Sequence, residues 1–240
     1  MMLVHLQETD STNTWLKLNR KSLSDGDAVT ALRQTAGRGR IGHSWLDSEG
    51  MLPVSVLLRN PPHPETITLA VSIAVCSVLD NFYEVPPSFG IKWPNDIVLD
   101  GYKLCGILCE SASDGDGIDI ICGIGLDLCQ SAEYFSEAGL PHAGSLLQLT
   151  GISLERERTA QLIAEKVMEY SRYSFSELIG EYKRRCVTLG REVRLIRNGV
   201  EQTAFAEDIA ESGHLICRNE DGRFEVSSGE VSVRGLYGYI

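Results

Sequence analysis

The stretch IVLDGYKLCGILCE, residues 97–110, and the stretch GIDIICGIGLDLC, residues 117–129, give the clearest fold signal in the chain. Asp100-Gly101 separates two β-prone runs in the first stretch, and this dipeptide is the strongest short-range indication of a β-hairpin. In the second stretch every even position is apolar, whereas Gly123 and Gly125 remove side chains from the opposite face. The alternation predicts a strand with one face in the core, and the glycines indicate that another group approaches the backbone closely.

The predicted hairpin also brings two charged residues together. If Asp100-Gly101 is the turn, Val98 pairs with Lys103, and Asp96 lies diagonally from Lys103 on the same face. Such a carboxylate–ammonium pair suits a site that neutralises an anion and removes a proton. A surface ion pair that contributes little to stability is the alternative.

The remaining pattern predicts an α+β fold with a larger and a smaller part. A helix should begin near Thr12, and a long apolar helix should span about residues 66–83. Strands are expected at residues 27–34 and 51–59. Two further helices are expected at residues 153–173 and 174–186. After Cys186, short β-runs alternate with Asn-Gly, Ser-Gly and Asp-Gly turns. This texture predicts a small all-β module that depends on contact with the larger part.

Composition and charge argue against several classes of function. The 240 residues carry a formal net charge of -11, so DNA is not expected as a partner, because phosphate contacts need a basic face. The first residues show no signal peptide, and the apolar stretch at residues 67–83 is too short and too polar to span a bilayer. We therefore expect a protein that does not interact with membranes.

The seven cysteines include no C-x-x-C pair. We expect them to be reduced and mostly buried, which indicates the cytoplasm. A zinc site is the alternative, although the spacings fit no structural zinc pattern well; it would use Cys105, Cys109, Cys122 and Cys129.

A glycine-rich loop, QTAGRGRIGHSW at residues 34–45, carries two arginines. Arg38 and Arg40 offer planar forks of donors that match phosphate or carboxylate groups. Glycines permit close approach of the backbone and let a loop become ordered around a ligand. The loop is therefore predicted to close over an anionic group, and a bare surface loop is the alternative.

Several motifs together resemble those of the biotin protein ligases, in the short form without an N-terminal DNA-binding domain. The matching motifs are DSTN at residues 10–13, QTAGRGRIGHSW at 34–45, KWPND at 92–96, KLCGIL at 103–108, GIGL at 123–126 and GEVSVRG at 229–235. The resemblance implies a mixed sheet with helices on one side, in a catalytic domain of residues 1–187, and a C-terminal SH3-like barrel of residues 188–240. Because the chain leaves no room for a preceding helix-turn-helix, no repressor role is expected.

The resemblance also implies an activity and roles for individual residues. Biotin and ATP would form biotinyl-5'-AMP with the help of Mg²⁺, and biotin would then pass to one lysine of a biotin carboxyl carrier protein. Arg40, Lys103 and Asp96 would be catalytic, with Asp96 helping the acceptor lysine to attack. Biotin would be bound by Ser11, Thr12, Asn13, Gln34, Arg38, Gly39, Arg40, Lys103 and Gly106. ATP or the adenylate would be bound by Gly37, Arg38, Arg40, Trp45, Asn95, Lys103 and Asp127.

The chain departs from the family pattern at three positions. Asp127 stands where an Asn is usual, and our hypothesis is that its carboxylate helps to hold the Mg²⁺ that accompanies ATP. Ile41 and His43 stand where many members carry basic residues, so weaker retention of the adenylate is expected. A lipoate-type ligase and a non-catalytic protein that binds biotin or its adenylate are the alternatives. A homodimer is compatible with the sequence.

Overall fold

The structure is a computed structural model, and it describes the chain except residues 43, 85–86, 114, 116, 198, 229–231, 236–238 and 240. Its larger part is built on a seven-stranded sheet with the order β1-β2-β3-β7-β6-β5-β4. Only β1 and β2 are parallel, and the other neighbours are antiparallel. The strands are β1 (Leu3–Thr9), β2 (Ala28–Gln34), β3 (Met51–Arg59), β4 (Gly90–Lys92), β5 (Asp96–Leu99), β6 (Tyr102–Ala112) and β7 (Asp119–Asp127).

The predicted hairpin joins β5 and β6. Asp100 and Gly101 both have positive φ, 49° and 84°, as a two-residue type I′ turn requires. The expected pairing of Val98 with Lys103 is confirmed. A bulge then shifts the register by one residue. Asp96 therefore lies opposite Gly106, whereas in an uninterrupted ladder it would lie opposite Cys105.

Helices cover both faces of the sheet. The helices are α1 (Thr12–Asn19), α2 (Ile67–Asp80), α3 (Ala132–Glu137), α4 (Leu146–Thr150), α5 (Arg156–Tyr170) and α6 (Phe175–Arg185). The apolar helix α2 packs against α5, α6 and strands β5 and β6 in the main core, and α5 and α6 also contact the sheet, at β3 and β4. On the opposite face Leu16 of α1 packs against Val29, Leu57 and Ile121. The expectation of helices on one side only is therefore wrong, because alternate residues of β2, β3 and β7 are apolar toward α1 as well.

The smaller part is a five-stranded antiparallel sheet with the order β11-β10-β9-β8-β12. Its strands are β8 (Arg191–Arg197), β9 (Val200–Ile209), β10 (Leu215–Asn219), β11 (Gly222–Val226) and β12 (Ser232–Gly235). The indole Nε1 of Trp93 donates to the carbonyl of Gly213 at 3.0 Å, and Lys183 pairs with Asp208 at 2.5 Å. These contacts confirm that the module packs against the larger part, and the fold is the predicted α+β class. Among the described residues, none of the helices has the length and apolarity needed to cross a membrane.

Candidate active site

A cavity of about 380 Å³ opens where α1, the glycine-rich loop and strands β4 to β7 meet, and Val233 and Tyr239 of the C-terminal region also line it. Most residues that the sequence assigns to ligand binding or catalysis line this cavity. They are Ser11, Thr12, Asn13, Gln34, Arg38, Gly39, Arg40, Trp45, Asn95, Asp96, Lys103 and Gly106. Gly37 and Asp127 are not in the lining.

A cluster of buried polar side chains lies at the start of α1. Gln34 Oε1 accepts from the backbone N–H of Thr12 at 2.8 Å and lies 3.1 Å from Thr12 Oγ1. Ser55 Oγ lies 2.6 Å from Asn13 Oδ1, and Asn13 Nδ2 donates to the carbonyl of Leu108 at 3.1 Å. Because each side chain is fixed by its neighbours, the cluster presents amide and hydroxyl groups in one geometry, as recognition of a polar ring requires.

Three glycines of β6 and β7 form the bare surface beside this cluster. A Cβ on Gly123 would overlap the side chain of Asn13. A Cβ on Gly106 or on Gly125, which pair across the two strands, would lie 2.5 Å or 2.7 Å from the indole of Trp45. The expectation of close approach to the backbone is thus confirmed, and the approaching groups are Asn13 and Trp45.

The two loop arginines have different surroundings. Arg38 Nη2 contacts Glu110 Oε2 at 2.7 Å. Arg40 Nη1 donates to Asn95 Oδ1 at 2.8 Å, whereas its buried Nη2 has no hydrogen-bond partner in the described part of the chain. Burial lowers the pKa of Arg40, and the charge of Asp96 opposes that effect. A buried guanidinium donor without a partner is costly, so this geometry fits an anionic ligand.

Asp96 and Lys103 are in direct contact, with 2.7 Å between Asp96 Oδ1 and Lys103 Nζ. Tyr239 Oη donates a hydrogen bond to Asp96 Oδ2. Burial raises the pKa of Asp96, but Lys103, Tyr239 and Lys92 outweigh burial, and the pKa lies below its usual value. The carboxylate is therefore ionised at neutral pH.

Asp127 lies at the end of β7, where Gln130 Nε2 donates to its Oδ1 at 2.5 Å. Burial raises the pKa of Asp127, whereas the hydrogen bond from Gln130 and the charge of Lys103 lower it. Burial has the larger effect, and the pKa is about 7. The described residues contain no group of three or more His, Cys, Asp or Glu side chains that could hold a metal ion. Gln130 engages Oδ1 of Asp127, and Asp127 is outside the cavity lining, so neither observation supports a role for its carboxylate in holding Mg²⁺. All seven cysteines are free, and five are buried.

Two positions named from the sequence cannot be compared with the structure. His43 lies outside the described residues, as does the side chain of Ile41. Conversely, sequence reasoning missed Lys92 and Tyr239, which line the cavity, and Ser55 and Glu110, which bond to lining residues. Lys92 begins the KWPND motif and could have been found there, whereas Tyr239 carries no local signal.

The cavity, with its hydrogen-bonded polar cluster and its arginines, defines a protein that binds a small anionic ligand. Residues 5–127 match the biotin/lipoate A/B protein ligase family, and residues 188–234 match the biotin protein ligase C-terminal domain. The chain belongs to the biotin/lipoate A/B protein ligase family.

Individual relatives resemble almost the whole chain. A biotin–[acetyl-CoA-carboxylase] ligase of Mycobacterium tuberculosis is 34% identical over 93% of this chain and 86% of its own length. A ligase of the same name from Paracoccus denitrificans is 29% identical over 96% of this chain and 100% of its own length. The biotin protein ligase from Aquifex aeolicus in complex with biotin and ATP superposes with a TM-score of 0.82 at 32% identity, over 98% of this chain and 99% of that one.

Proposed function

We propose that the protein is an ATP-dependent biotin ligase, which forms biotinyl-5'-AMP and transfers biotin to a lysine of a biotin carboxyl carrier protein. The observation that carries the proposal is one cavity that combines the polar cluster around Thr12 and Asn13 with the cations Arg40 and Lys103. Two relatives that match almost the whole chain are biotin–[acetyl-CoA-carboxylase] ligases and support the same activity, as does the structural neighbour in complex with biotin and ATP.

In the first step the carboxylate of biotin attacks the α-phosphorus of ATP, an oxygen–phosphorus bond forms, and pyrophosphate leaves. Two anions must approach each other, so their repulsion is the main electrostatic obstacle. Lys103 Nζ and the unpartnered Nη2 of Arg40 are cationic donors in the cavity and would stabilise the charge that develops on the phosphate oxygens. Mg²⁺ would accompany ATP as part of the nucleotide substrate.

In the second step the amine of the carrier lysine attacks the acyl carbon of the adenylate. A carbon–nitrogen bond forms, the bond to the phosphate oxygen breaks, and AMP leaves. The amine loses one proton in this step. The attacking nitrogen becomes positively charged when its bond to the acyl carbon forms. Asp96 is ionised and lies in the cavity, so its carboxylate can stabilise this charge and then accept the proton.

The direct experiment incubates the full chain with biotin, ATP, Mg²⁺ and a biotin carboxyl carrier domain, and measures the carrier by mass spectrometry. We expect one biotinyl group on one lysine, and no modification of a carrier whose target lysine is replaced by Arg. Absence of both pyrophosphate release and carrier modification would overturn the proposal. Pyrophosphate release distinguishes the ligase from a protein that only binds biotin, and competition with lipoate distinguishes it from a lipoate-type ligase.

Further expectations extend this proposal. We propose that the catalytic domain ends at residue 187, which is supported by the beginning of the second sheet at Arg191. We also propose that the protein works in the cytoplasm, where ATP is available. Formation of a homodimer and absence of DNA binding stay predictions.

A further inference from the structure

The penultimate residue of the chain, Tyr239, lines the cavity and contacts Asp96, Lys92 and His142. Its hydroxyl donates to Asp96 Oδ2, across 143 residues of sequence. Its ring lies under the ammonium of Lys92, with 3.5 Å between Nζ and the ring centroid. The ring of His142 stacks on it, with centroids 6.0 Å apart and planes 22° apart.

These contacts fix the ring from different parts of the fold. Lys92 belongs to β4, and the carbonyl of His142 accepts from the backbone N–H of Lys103 at 2.7 Å. The phenol is therefore held by a strand paired with β5 and by a loop bonded to β6, and β5 and β6 carry Asp96 and Lys103. A cation over an aromatic face and a stacked ring restrict the rotation of the phenol, so its hydroxyl is aimed at one carboxylate oxygen.

The two oxygens of Asp96 are thus engaged separately. Oδ1 contacts Lys103 Nζ at 2.7 Å, and Oδ2 accepts from Tyr239. Lys103 alone would leave the carboxylate free to rotate about the bond to its own Cβ. With a second donor on the other oxygen, the plane of the carboxylate is fixed.

We propose that Tyr239 is a positioning residue, which holds the Asp96 carboxylate in the orientation needed when the acceptor lysine attacks biotinyl-5'-AMP. This inference rests on the proposed ligase function and names a residue that no motif of the sequence indicated. The C-terminal region thereby contributes to the transfer step, because Tyr239 completes the surroundings of the group that receives the proton.

The pH dependence of transfer gives a readout that general loss of stability would not reproduce. The hydrogen bond from Tyr239 favours the ionised form of Asp96, so its loss raises the pKa of Asp96. The acidic limb of the transfer profile should then move to higher pH. The other charged or titratable groups that act on Asp96 or respond to its charge stay in place: Lys103 on β6, Lys92 on β4, Arg40 on the loop, Cys105 on β6 and Tyr182 on α6.

The test compares Tyr239→Phe with the wild type in two single-turnover assays. Enzyme loaded with biotin, ATP and Mg²⁺ is mixed with the carrier domain to measure transfer, and pyrophosphate release without carrier measures adenylation. Tyr239→Phe keeps the ring over Lys92 and removes only the hydroxyl. We expect transfer to slow about tenfold, as loss of a hydrogen bond to a charged group predicts, while adenylation stays within about twofold.

Tyr173→Phe is the matched control, because Tyr173 Oη donates to a carboxylate oxygen of Glu169 at 3.2 Å and lies outside the cavity lining. Transfer and its pH profile should be unchanged in this variant. Tyr239→Leu, with its folding checked by thermal unfolding, should slow transfer at least as much as Tyr239→Phe.

Wild-type transfer and an unshifted acidic limb in Tyr239→Phe would overturn the proposal, and so would equal slowing of both steps. Loss of transfer in Tyr239→Leu without loss in Tyr239→Phe would assign the effect to the ring and overturn the role of the hydroxyl. If the wild type itself neither releases pyrophosphate nor modifies the carrier, the ligase function fails instead.

Discussion

Asp96 and Asp127 are two aspartates of the same sheet, and burial raises the pKa of each, yet their pKa values shift in opposite directions. At Asp96 the ammonium of Lys103 lies 2.7 Å away, and Tyr239 and Lys92 add to its effect, so the pKa falls below the usual value. At Asp127 the contact at 2.5 Å is the neutral amide of Gln130, and the pKa rises to about 7. One carboxylate is a fixed charge, whereas the other is partly neutral near pH 7.

The difference separates a residue suited to catalysis from a residue suited to packing. An ionised carboxylate beside a cation can receive a proton and hold an ammonium, whereas a neutral carboxyl group that bonds an amide resembles the side chain of Asn. The family resemblance places an Asn at position 127, so a neutral Asp127 changes the local hydrogen bonding little. The departure is therefore electrostatically mild below about pH 7, where the carboxyl group is mostly neutral.

The largest effect on catalysis is expected from removal of the ammonium of Lys103, which lies beside Asp96. Lys103→Ala leaves the carboxylate of biotin and the α-phosphate without a counter-charge, so adenylation should fall roughly 100-fold to 1000-fold. Asp96→Ala should spare adenylation and slow transfer to the carrier lysine. Single-turnover measurements of pyrophosphate release and of carrier biotinylation separate the two steps. Failure of both variants at the same step would contradict the division between them.

The sequence predicted the Asp96 region well because its signals are local. Asp100-Gly101 determined the hairpin, and the two-residue turn places Lys103 opposite Val98, two residues from Asp96 on the same strand. The bulge was not predictable from local pattern: Leu104, the residue it leaves without a partner on β5, is fully buried, and nothing in the local sequence marks the extra residue. The contact of Tyr239 with Asp96 spans 143 residues and has no periodicity or motif behind it. The packing of α1 on the second face of the sheet was missed, since β1 and the apolar residues facing α1 were not recognised.

Substitution of Arg40 should give the next largest effect. Its Nη1 donates to Asn95, whereas its buried Nη2 has no hydrogen-bond partner in the described residues and is available to a ligand. Arg40→Ala should keep the fold, slow adenylation and release biotinyl-5'-AMP roughly tenfold to 100-fold faster, as loss of a charge-assisted contact predicts. The measurement is dissociation of labelled adenylate. Arg33→Ala is the control, because that side chain is 61% exposed and outside the cavity lining. Normal retention of the adenylate by Arg40→Ala would contradict closure of the loop over the ligand.

Removal of the C-terminal module should have a smaller and more selective effect on adenylation. Truncation after Leu189 deletes Val233 and Tyr239 from the cavity and takes away the carbonyl that accepts from Trp93. The KM for ATP should rise roughly tenfold, while the Kd for biotin, measured by calorimetry, changes less than about threefold. Retained biotin binding shows that the remaining chain is folded. Unchanged kinetics of the truncated chain would mean that the module does not contribute to the site.

The smallest effect on catalysis is expected at the neutral member of the pair, Asp127. Asp127→Asn keeps the size of the side chain and the contact with Gln130, so the rate of adenylation and its magnesium titration should overlay those of the wild type. Asp221→Asn, an exposed position, is the control. A shifted magnesium titration in Asp127→Asn alone would show that this carboxylate reaches the metal of ATP, and would restore the hypothesis drawn from the sequence.

Stability should nevertheless report the charge of Asp127, and the sign follows from its raised pKa. The unfolded chain releases this proton near pH 4, whereas the folded chain keeps it up to about pH 7. The stability contributed by the neutral carboxyl group is thus fully present below about pH 4 and is lost as pH rises toward 7. Each pKa unit corresponds to about 1.4 kcal/mol, so Asp127→Asn should gain stability relative to the wild type across that window and level off above it. Urea unfolding at pH 5, 6 and 8 measures the free energy of unfolding of both proteins. A difference between them that is the same at all three pH values would mean that Asp127 is ionised throughout.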